Sequence, residues 1–237
     1  MKIGILSLLF VASSLAAQVN NQTTINGVPN QATNYTGVPI SQEGSPGYDP
    51  THKNFSFYAG GMYGVINRTL YINTADGTTL ANSTATQSII PATGLGTVTL
   101  PANYIVAGRK FDITTSGVFS TDGGTPNITT TVKVGSSTAA TVTALNLPNS
   151  QSNMQYSIVV KITCRTVVAT TATCQISGFV QYTISTGSRT TWDLANSGAT
   201  FTVATNVANL LDITDAWSAA SASNTLTPKS ITITEVY

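Results

Sequence analysis

The sequence predicts an all-β protein: an antiparallel β-sandwich or jelly roll with an extended N-terminal arm. Three observations carry that expectation. Among 237 residues, 41 are Thr, 23 are Ser and 18 are Asn, while only 8% are charged. Polarity is therefore supplied by hydroxyls and amides, and Thr, with Val, Ile, Tyr and Phe, favours strands. The Glu-, Lys- and Leu-rich stretches that build long helices are missing, and no helix-length 3.6-residue pattern follows the N-terminus. Apolar residues instead recur at alternate positions between turns rich in Gly, Pro and Asp.

Residues 1–17, MKIGILSLLFVASSLAA, join Lys2 to an apolar run, Ile3 to Ala12, and then to small residues. This is the pattern of a signal peptide cleaved after Ala16 or Ala17; the alternative is a retained apolar arm. The run falls short of the ~20 residues a spanning helix needs, so no stable membrane span is expected. Residues 18–52 are dominated by Asn, Gln, Thr, Gly and Pro, with GVP at 27–29 and again at 37–39. That density of Gly and Pro predicts an arm without regular structure, a linker or a segment that orders against neighbouring subunits. His52, the one histidine, ends it.

A β domain is expected over residues 53–237. FSFYAGGMYGVINRTLYIN holds two aromatic runs around Gly60-Gly61, and Asp76-Gly77 is a hairpin-type dipeptide. Phe111-Asp112-Ile113 leads to Gly117-Val118-Phe119 and then to the turn TDGGTP, 121–126. Ile128, Thr130, Val132 and Val134 alternate with Thr129, Thr131 and Lys133, and Tyr156, Ile158, Val160 and Ile162 repeat the pattern. Phe201 and Val203, Leu211 and Ile213, and Ile231 and Ile233 extend it. About ten short strands separated by turns predict a sandwich, jelly roll or barrel. At the C-terminus, Trp217 is expected to cap the core, Ser218 to Asn224 to form a polar crossover, and Ile231 and Ile233 to close the sheet. Glu235 falls on the Ile face, which predicts that pairing loosens there.

Cys164 and Cys174 frame TCRTVVATTATCQ. If the flanking segments pair antiparallel about Ala169, Cys164 faces Cys174, Ile162 faces Ile176 and Ile158 faces Val180. The cysteines are then disulfide candidates in an oxidising compartment, or two buried thiols otherwise. They do not form a metal site, because no further Cys or His is near them in sequence.

Little else in the chain suggests chemistry. One histidine, in the arm, leaves no Ser-His-Asp or Cys-His arrangement for the β domain. Asp212 and Asp215, in LLDITDAWS, are its closest carboxylates. They could be read as glycosidase acids beside a sugar-stacking Trp217, but a strand end with a turn Asp and a core Trp is the preferred reading. Asp122 lacks the acidic spacing of a calcium loop and reads as a solvated turn. The net charge of +1 offers no basic face for nucleic acid. Six Asn-x-Ser/Thr sequons, at Asn21, Asn34, Asn54, Asn67, Asn82 and Asn127, are what this Asn, Ser and Thr content yields by chance. Tyr58, Tyr63 and Tyr71 could belong to a binding surface or to the core.

Two stretches, VAGRKFDITTSGVFSTDGGTPNITTTVKVG (106–135) and LLDITDAWSAASASNTLT (210–227), resemble an all-β, jelly-roll-like domain of structural proteins from tailed phages and related viruses. The resemblance covers roughly residues 100–237. In that family a strand opens on a basic or polar residue, runs into an SGvyST turn and a second strand, and the domain closes on a WsaASpsNT loop before its last strand. The resemblance implies a virion or appendage component, often trimeric, without catalytic residues.

The expectation is a non-enzymatic structural protein of a virus or phage particle, a capsid-decoration, fibre or tail component. It would need no cofactor or metal. Its partners would be its own subunits, a trimer among the options, other virion proteins, or a host surface receptor or glycan. The alternative is an exported bacterial surface protein, such as an adhesin, carbohydrate-binding module or filament subunit, secreted or held at the cell surface. An extracellular carboxylate-based enzyme is a third reading.

Overall fold

A computed structural model of the chain describes residues 67–124, 126–185, 188–194 and 200–236 in full, and the backbone of five strands before them. The chain divides into two compact units, Met1–Ile66 and Asn67–Tyr237. The signal-like segment 1–17 and His52 lie outside the described residues, as does most of the 18–52 arm. Strands are numbered in chain order. In the first unit β1 (Thr24–Ile25) pairs with β2 (Val28–Pro29), and β3 (Pro46–Asp49), β4 (Asn54–Ala59) and β5 (Met62–Val65) form a small antiparallel sheet. The two aromatic runs around Gly60-Gly61 are β4 and β5.

The second unit is all-β among its described residues, and its two antiparallel sheets form a sandwich-like arrangement. The larger sheet runs in the order β16 (Ser188–Asp193), β15 (Thr171–Ser185), β14 (Met154–Val168), β11 (Lys110–Ser120), β19 (Thr225–Val236), β6 (Arg68–Asn73) and β9 (Gly94–Gly96). Beside β15, β17 (Thr200–Ala204) pairs with residues 171–175, and β7 (Leu80–Ala81) joins β19 beyond β6. The smaller sheet runs β10 (Thr99–Leu100), β18 (Asn209–Trp217), β12 (Asn127–Val134) and β13 (Ser137–Asn146), with β8 (Gln87–Ser88) also on β18. The chain changes sheet at every step from β7 to β12, and again between β13 and β14, β17 and β18, and β18 and β19.

Alternation decides which face each strand buries. On β12, Ile128, Thr130, Val132 and Val134 point inward; on β14, Tyr156, Ile158, Val160 and Ile162 do. On β18 the inward set is Leu211, Ile213, Asp215 and Trp217. These faces meet in one core, each large apolar side chain contributing roughly 1.5–3 kcal/mol of burial. Not all strands are short, as the turn spacing had suggested: β14 and β15 run for 15 residues each, because no Pro interrupts that hairpin.

Phe111–Ile113 and Gly117–Phe119 lie on the single strand β11, bent against β19 by a bulge. Ser116 pairs with Ser230 but Gly117 pairs with Pro228, so Lys229 is the extra residue. Only glycine fits at 117: a Cβ there would lie 2.2 Å from the Thr227 carbonyl oxygen. The last strand is no appendage, since β19 lies between β11 on one side and β6 and β7 on the other.

Candidate functional site

The hairpin of β14 and β15 has the register read from the sequence: Ile158 opposes Val180, Ile162 opposes Ile176 and Cys164 opposes Cys174. The two sulfurs are bonded at 2.08 Å, and both residues are buried. The pair fastens the end of the hairpin to the loop before β11. Gly108 N–H donates to the Cys164 carbonyl at 2.7 Å, and Cys164 N–H donates to the Arg109 carbonyl at 2.8 Å.

Trp217 stands at the end of β18 and is buried; its indole N–H reaches the Leu80 carbonyl across the sandwich at 3.4 Å. Ile231 and Ile233 are buried on β19 and oppose Thr115 and Ile113 of β11. Tyr71 is also a core residue, its hydroxyl donating to the Pro91 carbonyl at 2.5 Å. The side chains of Tyr58 and Tyr63 lie outside the described residues.

Glu235 requires a correction. Its place on the Ile face predicted loosened pairing, but β19 stays paired through it, to Phe111 on one side and Arg68 on the other. The carboxylate goes inward and meets a buried cation: Arg109 Nη1 lies 2.5 Å from Glu235 Oε1, and both side chains are at most 1% exposed. Tyr104 completes the group. Its hydroxyl donates to Glu235 Oε2 at 2.6 Å, and the Arg109 guanidinium carbon stands 4.1 Å from its ring centroid, within cation–π range. Arg68 donates to the Tyr104 hydroxyl from the surface side. Burial, reinforced by the bond and charge of Glu235, pushes the Tyr104 phenol up to about 12. The sequence offered one signal for this group, a carboxylate out of phase with its neighbours; its partner, 126 positions earlier and outside any periodic run, could not be read from it.

Asp212 and Asp215 do not form a pair. Three positions apart on one strand, they face opposite sides of the sheet. Asp212 is half-buried on the outer face, accepts from the Ser88 hydroxyl at 2.5 Å and sits in register with Lys133; partial burial raises its carboxyl pKa. Asp215 does not occupy a turn, as expected, but the interior of β18, fully buried, where it accepts from the Thr130 hydroxyl at 2.5 Å. Burial pushes it up to about 7. The phenols of Tyr156 and Tyr182 are raised by burial first and by the Asp215 charge second. Tyr182 packs edge-on against Phe119 at 5.1 Å and stacks on Tyr156 at 5.8 Å. Carboxylates on opposite faces cannot flank a glycosidic bond, so this arrangement does not make the acid pair considered above.

Asp122 lies in a turn: its carboxylate accepts from Gly124 N–H at 3.0 Å, and its own N–H donates to the Asn224 side chain at 2.9 Å. Among the described residues no group of three His, Cys, Asp or Glu could hold a metal ion, and no helix is long and apolar enough to cross a membrane.

No known family model matches the chain, and no curated protein matches it. Among solved structures it is similar to the crystal structure of infectious bursal disease virus VP2 subviral particle, at 15% identity and a TM-score of 0.26, over 84% of this chain and 49% of that one. The chain thus spans about half the length of that protein. At this score the likeness adds nothing to the fold described above.

Proposed function

We propose that the chain is a non-enzymatic structural protein of a virus or phage particle, a decoration, fibre or tail component that acts by assembling with copies of itself and with neighbouring particle proteins. The observation that supports this reading most is how the two family-like stretches, 106–135 and 210–227, come together. Asn127 N–H donates to the Ser218 hydroxyl at 3.1 Å, Ser218 N–H donates to the Asn127 carbonyl at 2.8 Å, and Asn224 is bonded to Asp122. The small polar residues of the WSAASASNT loop thus lock one turn of the sandwich against another. Their role is structural, which fits a family defined by how its members fold and assemble. A chain with 8% charged residues also keeps itself soluble poorly as a free monomer and suits an assembled state.

The alternative, an exported surface protein, is favoured by the bonded Cys164–Cys174 pair, a crosslink of oxidising compartments. Two measurements separate the readings: sedimentation of the purified chain, and the mass of its native N-terminus. A discrete oligomer with Met1 intact supports the particle component. A monomer beginning near Gln18 favours export and sinks the first reading.

A further inference from the structure

Charge on the second unit is unevenly placed. It carries eight Lys and Arg residues, and five of them, Lys110, Lys161, Arg165, Arg189 and Lys229, are exposed on the outer face of the larger sheet. Two carboxylates share that face on its strands: Asp112, in register with Lys161, and Asp193, in register with Phe179. Within this face lies a trough of about 350 Å³. It crosses five neighbouring strands, ~19 Å from first to last at the usual strand spacing. Arg189 of β16 stands at one end and Lys229 of β19 at the other, and Gln181, Gln155, Ser157 and Ser116 lie between them. No carboxylate lines it among the described residues.

Both end cations are positioned. Arg189 Nη1 donates to Gln181 Oε1 at 3.1 Å and Nη2 to Gln155 Oε1 at 3.4 Å, so two amides of the floor orient a guanidinium that has five N–H donors. Lys229 is the extra residue of the β11–β19 bulge, a device that re-aims a side chain. The bulge is held from behind: Gly77 N–H donates to the Pro228 carbonyl at 2.8 Å, Asn73 donates to the Lys229 carbonyl at 3.0 Å, and Asp76 pairs with the ammonium.

We infer that this trough binds an acidic oligosaccharide, with a carboxylate or sulfate group taken by Arg189 or Lys229 and sugar hydroxyls taken by the Gln and Ser floor. A peptide suits the site less well, because β11, β14 and β15 are hydrogen-bonded along both edges and offer no edge for strand addition. A neutral sugar would leave the charge of the Arg189 guanidinium, which meets only the neutral amides of Gln181 and Gln155, without a counter-charge. The inference deepens the attachment side of the proposed function and rests on it, but the Arg189 and Lys229 side chains are exposed and take no part in the buried core that closes the fold.

The test is a calorimetric titration of the full chain with 3′-sialyllactose, a heparin-derived tetrasaccharide, lactose and a short poly-glutamate. The expected result is binding of at least one acidic sugar, weakened by added salt, with lactose and poly-glutamate bound about tenfold more weakly or not at all. Which acidic sugar binds identifies the anion. Arg189→Gln and Lys229→Gln, at exposed positions, should each weaken binding about tenfold. Ser157→Glu places a like charge on the floor and should abolish it, which gives a second readout if a cation variant folds poorly. Sedimentation of the same variants should match the parent, so failed binding with intact assembly refutes the trough and leaves the assembly reading standing. Equal affinity for lactose, equal affinity for poly-glutamate, no binding to any probe, or unchanged binding in folded variants would each overturn the inference.

Discussion

Arg109 and Glu235 meet inside the sandwich with nitrogen and oxygen 2.5 Å apart, one just before β11 and the other at the end of β19. This contact ties the first long strand of the larger sheet to the last. An ion pair removed from water gains little net stability, but breaking it leaves a buried charge without compensation. Glu235→Gln should therefore lower the unfolding free energy by about 3–5 kcal/mol, while Arg109→Met with Glu235→Leu should recover most of the loss. Urea titrations of the parent and the two variants check this. Equal stability of Glu235→Gln and the parent would show that the pair is not closed in solution.

Because β19 lies between β11 and β6, the C-terminal residues carry more than their own contacts. Deleting residues 229–237 removes Ile231, Ile233 and Glu235 together and exposes unpaired edges on β11 and β6. The truncated chain should be insoluble, or lack a cooperative melt by circular dichroism. A soluble product with the parental melting profile would contradict the place of β19 in the sheet.

Asp215 gives the fold a pH dependence of defined sign. Its folded pKa, about 7, stands above its ordinary 3.8, so between those values the folded state holds a proton that the unfolded state has released. Stability from this group is greatest at low pH, falls as pH rises towards 7, and levels off above it. Asp212 is raised as well and adds in the same direction. Asp215→Asn, which keeps an oxygen for the Thr130 hydroxyl, should flatten the curve and stabilise the chain at pH 8 relative to the parent. Urea midpoints at pH 5 and pH 8 measure it. A parent whose stability rises across that interval while the variant shows the same slope would reject a role for Asp215.

The Cys164–Cys174 bond closes a short loop, and the chain-entropy estimate for such a loop is roughly 2–3 kcal/mol. Reduction, or the paired change Cys164→Ala with Cys174→Ala, should destabilise the chain by about that amount without altering its strand content. Melting with and without a reductant tests this; identical melts would mean that the thiols are free in the purified protein.

Much of this fold could be read from alternation and turns. The β14–β15 register followed from two cysteines and two apolar pairs placed symmetrically about Ala169, since one register alone aligned them all. The inward face of β12 followed from ITTTVKV in the same way. The polar interior was not legible. Asp215 keeps strict phase with Leu211 and Ile213, yet a carboxylate at that position suggests a turn until Thr130 is seen opposite it. Arg109 lies outside any strand, and Tyr104 lies in irregular backbone, so no period marks either as a partner of Glu235. The trough was hidden for a related reason: its cations come from strands far apart in sequence, and Lys229 is aimed by a bulge that depends on the non-local pairing of β11 with β19.

The central claim is that this chain is a stoichiometric part of an assembled particle. The most direct measurement is its distribution through a density gradient of intact particles after a high-salt wash, quantified against the principal particle protein. The account predicts that the chain bands with the particles at a constant ratio across the peak fractions. Recovery of the chain as a monomer at the top of the gradient, with none in the particle band, would contradict it.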